Sequence, residues 1–530
     1  MKLYGIVLTL AVGMMLGGAG AGDAAVSAAA ATDADGTVPL PVTVRGPGIN
    51  YYVSTTGSDS NSGTSTATPW KTLQHAADSV SAGDTVHVMG GIYKQKLKIR
   101  HSGSAEAGPI TFQSYNSQTV VLDGAGLSVT DDEGMIEITD ASYIVVQDFE
   151  IRNYKTATRD KVPSGILVRG AGSDIVIRNN YIHGIRNTAA VRADLSGRNA
   201  HGIAVYGTRA PDALSRISII GNTLRDLILG SSESMVVNGN VDGFTIKGNT
   251  VHDNDNIGID VIGFEGTAPD PAYDQARNGL ISGNLVYNIT SVNNPAYGDS
   301  LPNDSYGADG IYVDGGKDTI IERNFSYNND IGIEIASEHR GKATSNIIVR
   351  SNIVAGNNYT GIAMGGYDKK RGSTEGCAVI GNTVYMNDTK GLRGGQLLLQ
   401  YDTKNNVIKN NIFVAGVSKL LIANPYQKNS GNQVNYNLYF APGSAGGAKW
   451  QWKNVSYSGF AAYKAGAGQD NNAIFADPLL ANPAVGNYRL TLRSPAINAG
   501  TNLGYKMGEL DFKGNNRVAG SAVDIGADEY

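Results

Sequence analysis

The chain has 530 residues, among them 68 glycines, with 17% charged residues and a formal net charge of −5. A mildly acidic chain without a basic run or stripe argues against a nucleic-acid partner, and it leaves neutral sugars open. The length suggests several domains under an ordinary prior, but a chain built from repeats grows by adding units, and one domain can absorb it.

Taken in order, Lys2 and the apolar run through Leu16 lead to the small-residue stretch Gly17 to Ala21. This reads as a secretory signal peptide over residues 1–21, too short to span a bilayer comfortably. A secreted, extracellular or periplasmic location is the resulting expectation, with no membrane partner. Residues 22–48 are rich in Ala, Asp, Pro and Gly without periodicity and read as a flexible leader. Trp70, Leu73, Ala76, Ala77 and Val80 then fall on one helical face. They predict a short N-terminal helix that covers the exposed edge and core of the first repeat unit.

The body of the chain is a repeat aligned on one asparagine per unit: Asn180, Asn222, Asn249, Asn284, Asn324, Asn352, Asn382, Asn411 and Asn437. An apolar residue stands three positions before each, from Ile177 to Val434, and another two positions after each except at Ser326. Two inward residues five positions apart cannot lie on one straight strand, so the chain must bend between them. Asparagine suits such a bend because it tolerates the left-handed conformation, and amides stacked in register can bond to one another. Cys377, five residues before Asn382, occupies a position held by Ile175, Ile217 and Ile347 and is expected in the core, outside any disulfide.

Short β-branched strands between Gly and Asn corners predict an all-β fold, a right-handed parallel β-helix solenoid with a short N-terminal capping helix. The solenoid is expected over residues 49–440. Residues 441–530, where the asparagines stop and Trp450, Trp452, Phe460 and Tyr463 appear, are expected as irregular last coils and a C-terminal cap. The alternative there is a small sugar-binding appendage with exposed aromatics. Over roughly residues 50 to 530 this pattern resembles that of pectate lyases and related secreted β-helix carbohydrate enzymes. So do the opening Gly83-Asp84-Thr85-Val86-His87-Val88 and the closing Asp524-Ile525-Gly526-Ala527-Asp528-Glu529-Tyr530.

Most coils carry a second strand that begins with Gly, as in Gly202-Ile203-Ala204, Gly258-Ile259-Asp260, Gly310-Ile311-Tyr312, Gly332-Ile333-Glu334 and Gly361-Ile362-Ala363. With isoleucine inward, the next residue faces outward, so Ala204, Asp260, Tyr312, Glu334 and Ala363 form one exterior column, and Tyr206, Ile262, Asp314, Ala336 and Gly365 a second. Insertions at both ends of this strand make it the floor of a groove. Asp260, Asp309, Asp314, Glu334 and Glu338 are the catalytic candidates, and Tyr312, His339, Arg340, Tyr367 and Arg371 the substrate-binding ones. Asp253, Asp255 and Asp330 read as turn residues, Lys369 to Arg371 as a solvated loop, and Tyr287, Tyr327 and Tyr385 as a stabilising surface ladder. Like charges stacked on neighbouring strands are destabilising unless something uses them, which singles out Asp260, Asp314 and Glu334.

Two enzymatic readings are open. A glycoside hydrolase acting on a polysaccharide or oligosaccharide, as a monomer and without a cofactor, would use a protonated and an ionised carboxyl. Glu334 with either Asp260, two coils away at about 9.6 Å, or Asp314, at a diagonal of about 8 Å, has a spacing that favours inversion, with Asp309 or Glu338 tuning the pair. The acidic segments around Asp309 and Asp330 are also similar to coils of certain pectate lyases. That resemblance implies a Ca²⁺-dependent polysaccharide lyase with Asp309, Asp330 and Glu334 as metal ligands. Against it, the basic residues Lys317, Arg340 and Lys342 stand only at corners. A non-catalytic adhesin is the third reading, and it predicts that the acids scatter on folding.

Overall fold

The computed structural model describes residues 48–190, 197–298, 300–443 and 447–530. The segments read as signal peptide and leader lie, except for Gly48, outside these residues.

The described chain winds through three long parallel sheets, one of 15 strands and two of 13, so that each coil contributes a strand to each sheet. Sheet A runs through Gly172–Arg178, Leu214–Ile220 and Val241–Lys247. Sheet B contains Tyr181–His183 and Thr223–Arg225, and sheet C His201–Gly207 and Met235–Gly239. The sheet A residues three before each asparagine pair in register from Ile177 through Ile219, Ile246, Ile281 and Ile321 to Val349, Val379, Ile408 and Val434. All are buried. Burying a side chain of this size stabilises the fold by roughly 1.5–3 kcal/mol, and the column repeats it once per coil. Cys377 lies in the same core and is free.

The asparagines form a continuous ladder at the corner between sheets A and B. Each Nδ2 donates to the Oδ1 of the next, at 2.9–3.0 Å, from Asn180 to Asn437. Contrary to the expectation from the sequence, the ladder asparagine is not the left-handed residue of the bend. That residue is the one before it, for example Asn179 (φ 55°), Arg323 (φ 53°), Ser351 (φ 51°) and Tyr436 (φ 56°), with glycine at 221, 248, 283 and 381. The asparagine is selected for its buried amide, which satisfies the backbone N–H of the preceding coil, as Asn222 Oδ1 does for Asn180. A second, shorter ladder that the sequence reading missed, Asn329, Asn357, Asn387 and Gln396, does the same at the corner between sheets B and C.

Helix α1 (Leu73–Ser79) is capped by Thr72 and buries Leu73, Ala76 and Ala77 against the first coils. Residues 441–530 divide in two. Helix α2 (Phe460–Ala467) closes the far end, with Tyr463 stacked on Trp450 at 5.2 Å, and Asp470 terminates the ladder by accepting from Asn437, Tyr439 and Tyr463. Trp450, Trp452 and Tyr463 are buried, so they form core and not an exposed sugar platform. The rest of the segment is a strap that runs back along the outside of sheets A and B. Met507 packs on Ile348 and Ile380, Arg350 donates to the Tyr505 carbonyl, and the Ala527 N–H donates to Thr383 Oγ1. The strap covers the aromatic stack of sheet B, where Tyr287 lies on Tyr327 at 5.0 Å and Tyr488 meets Tyr385 edge-on. Among the described residues no helix is long and apolar enough to cross a membrane.

Candidate active site

Sheet C is the one long sheet whose outer face the strap leaves uncovered, and its local sequence explains the floor it makes. A Cβ on Gly310 would stand 2.5 Å from Ser326 Oγ, and one on Gly332 2.3 Å from Val354 Cγ1. Only glycine lets these strands start so close to the following coil. Ile259, Ile311 and Ile333 then point inward and are fully buried, which turns Asp260, Tyr312 and Glu334 outward in direct register. The exterior column contains one more coil than the glycine pattern predicts. Val236 lies between Ala204 and Asp260, and Asn238 between Tyr206 and Ile262. That coil has Ser234 where the others have glycine, and Ser234 Oγ donates to the Ile257 carbonyl.

Above this floor is a cleft of about 590 Å³ lined by seven carboxylate side chains: Glu233, Asp260, Glu265, Asp309, Asp314, Glu334 and Glu338. Tyr297, Tyr306, Tyr312, Tyr359, Tyr367 and Gln400 add to the polar wall with Ser231 and Asn256, and no lysine or arginine is among the lining residues. The acids converge, contrary to what a non-catalytic solenoid predicts.

At the centre, the Asp309 and Glu334 carboxyls share a hydrogen bond. Burial and the adjacent Glu334 charge hold Asp309 well above the usual carboxylate range, so Asp309 keeps the proton and donates it. Burial also raises Glu334, but the bonds from Asp309 and from Gln400 Nε2 offset part of that rise and leave it at about 7. Its ionised form therefore has two donors. Asp260 is raised by burial and then by Glu233 and Asp314, and is held protonated. Asp314 is raised by burial and by Glu338, although it accepts the Glu338 N–H at 2.7 Å. Glu338 is raised by burial against the pull of Arg371 3.7 Å away.

The substrate-binding candidates separate. Tyr312 and Tyr367 line the cleft. Arg371 lies over the Tyr367 ring at 4.3 Å and reaches Glu338, which sets it apart from the exposed Lys369 and Lys370 of the same loop. His339 faces Asp314 at 3.8 Å, with its pKa lowered by burial, and stays at the rim. Arg340 is exposed and lies outside the lining, because the strand has ended and the corner turns its side chain to solvent. The trio proposed as Ca²⁺ ligands does not form a ligand set. Asp330 is consumed by Ser291 N–H and Oγ–H, the Ala308 N–H and Asn358, which tie down the loop before the Asp309 strand. Asp309 and Glu334 are bonded to each other. Asp253 sits at a left-handed corner (φ 54°) and Asp255 accepts the Leu229 N–H, both as turn residues. Glu233, Glu265 and Gln400 were not legible as site residues. Glu233 precedes the uncounted coil, Glu265 lies in an insertion, and Gln400 comes after a Leu397–Leu399 strand without the Gly-Ile signature.

Fold and cleft together define a right-handed parallel β-helix with an acidic groove on one sheet. The model of the Pel9A-like right-handed β-helix region matches residues 51–247. The chain belongs to the family of the uncharacterized protein YwoF of Bacillus subtilis (strain 168), with which it is 45% identical over 452 residues, 85% of this chain and 92% of that protein. It is also 31% identical over 180 residues to the pectate lyase PEL9 of Emericella nidulans, covering 30% of this chain and 40% of that one. Among solved structures, the XylC complex with xylose superposes with a TM-score of 0.50 at 13% identity, covering 90% of this chain and 98% of that chain, a likeness of fold.

Proposed function

We propose that this chain is an exported carbohydrate-active enzyme, working as a monomer without a cofactor, that hydrolyses glycosidic bonds in an uncharged polysaccharide or oligosaccharide. The observation that carries this reading is the Asp309–Glu334 pair, one carboxyl protonated and its neighbour poised near neutrality, in a cleft lined by seven acids. In the reaction, ionised Glu334 takes a proton from a water that attacks the anomeric carbon. Asp260, held protonated, gives its proton to the departing glycosidic oxygen as the carbon–oxygen bond breaks. The two stand on strands separated by one other, so their backbones are about 9.6 Å apart. Such a separation leaves room for the water of an inverting displacement, for which carboxyl separations of about 6.5–9.5 Å are usual. Asp309 keeps Glu334 hydrogen-bonded in its ionised form.

A second reading, a polysaccharide lyase, draws support from the likeness to PEL9 and to the Pel9A-like region. That region ends at residue 247, before six of the seven cleft carboxylates. A uronate polymer would bring its own negative charges into this cleft, which disfavours it.

The test is digestion of a panel of neutral and uronate polysaccharides, with readouts of reducing ends and of ultraviolet absorbance from unsaturated products, with and without chelator. NMR of the first-formed anomer is read alongside. New reducing ends of inverted configuration that survive chelation are expected. Retention of configuration would overturn the Asp260 and Glu334 assignment, and unsaturated products lost in chelator would replace hydrolase by lyase.

A further inference from the structure

The cleft does not end at Glu233 and Glu265. The same two side chains also line a second recess of about 270 Å³, displaced toward the N-terminal coils, whose remaining wall includes Asp132, His201, Tyr206 and Asn238. Its groups are fixed. Tyr206 and Asn238 come from adjacent strands of sheet C in direct register. His201 is buried, and burial lowers its pKa to about 4, so the ring is neutral. Its Nδ1 lies 3.1 Å from the Glu233 carbonyl, which can only accept, so the proton is on Nδ1. Nε2 then accepts from the Tyr206 hydroxyl at 2.9 Å. This leaves the Tyr206 oxygen with its lone pairs free to accept.

Asn238 is 2% exposed and donates through Nδ2 to Glu265 at 2.7 Å, which orients the amide. Its Oδ1 is buried and has no hydrogen-bond partner. Asp132 is in the same condition: Arg169 takes Oδ2 at 3.0 Å, while Oδ1 is buried and unpartnered. A buried acceptor left without a donor costs about 1–3 kcal/mol, and here two such acceptors belong to side chains that line one recess, beside a third on Tyr206. A ligand that brings several hydroxyl donors and no negative charge completes them.

We infer that this recess is a binding site for a second, uncharged sugar unit of the same chain that enters the acidic cleft. The inference rests on the proposed hydrolytic reading for its substrate class and goes beyond it by fixing where the substrate extends. A bound saccharide runs across at least the coils from Met235–Gly239 to Ile331–Ala336, with hydroxyls of one unit donating to Asn238 Oδ1 and Asp132 Oδ1.

The test uses the full chain with dimers and hexamers of xylose, glucose and galactose as probes. KM is measured for wild type, Asn238→Ala and Tyr206→Phe. Binding is measured separately by saturation-transfer NMR in a Glu334→Gln background, where turnover does not interfere. Circular dichroism of each variant confirms folding, and Tyr206→Phe, which removes a single oxygen, stands in if Asn238→Ala does not fold. Losing one hydrogen bond to an uncharged ligand should weaken the bound hexamer about fivefold to tenfold, and by a larger factor than the dimer. An equal factor for both lengths, or no hexamer bound at all, overturns the recess as a subsite. If hexamers bind with the Asn238 dependence but none is cleaved by wild type, hydrolysis is lost and the subsite stands. If they are cleaved without that dependence, the subsite is lost and hydrolysis stands.

Discussion

Acidic residues face outward from two regions of this solenoid and meet opposite fates. On the sheet A side, Asp174 is gripped by Arg216 through both oxygens, at 2.8 and 2.6 Å, and Glu322 is gripped by Arg350 at 2.7 and 2.6 Å. The Asp174 carboxyl is pushed up by burial but pulled further down by the Arg216 bond, and it ends below the usual range. On sheet C, Asp260, Asp309, Asp314 and Glu334 are all raised. Asp174 sits at a left-handed corner (φ 58°) and is only partly buried, whereas the sheet C acids are buried beside one another, so burial and neighbours together set the two regions apart. Where the sequence supplies Arg216 one coil away, the Asp174 carboxyl is held down. Where it supplies another acid, the proton is kept, and a proton held at neutral pH is what general acid chemistry needs.

The largest expected effect sharpens this contrast. Glu334→Gln should lower kcat by about a thousandfold or more while its unfolding temperature stays at or above that of wild type. Near wild-type turnover in a folded variant would move the site elsewhere. Next in size, Arg350→Met strips a partner from buried Glu322 and should cost about 3 kcal/mol in denaturant unfolding, with turnover per folded molecule unchanged. A loss below about 1 kcal/mol, the scale of an ordinary surface pair, would mean that Arg323, 3.1 Å from Glu322, suffices alone.

The smallest effect is in pH. The Glu334 carboxyl rises from 4.5 to about 7, so its stabilising contribution is complete below pH 4.5 and gone once pH has risen through about 7. Glu334→Gln does not titrate, so its lead in melting temperature over wild type should grow by a few degrees between pH 5 and pH 8. Asp174 has the opposite sign, since a lowered carboxyl loses its contribution as pH falls. A constant difference across that range would show that Glu334 does not carry the shift.

Legibility in the sequence tracks repetition. The sheet A column and the asparagine ladder recur together in nine successive coils, and nine instances of each identify the fold, its register and the inward residues. Asp260, Tyr312 and Glu334 were legible because Gly-Ile marks their strands and alternation does the rest. Glu233, Glu265 and Gln400 occur once each, from an unmarked strand, an insertion and a leucine run, and only the folded chain brings them to the others. Arg340 was misplaced for a related reason. At a corner or a loop tie, one residue decides whether a side chain faces the groove, and no periodicity fixes that residue.

The strap constrains the order in which the molecule is made. A stack of coils needs only its nearest neighbours, so each coil can settle on the one before it as it leaves the ribosome. The strap breaks that locality, because Arg350 waits for Tyr505, 155 residues later, and Thr383 for Ala527, 144 residues later. The strap comes after every coil it covers, so the apolar flank formed by Ile348, Ile380 and Ile412 is bare throughout synthesis of those coils. During that interval the nascent chain is a completed cleft face joined to an unfinished back, and it is the back that a folding factor would have to shield.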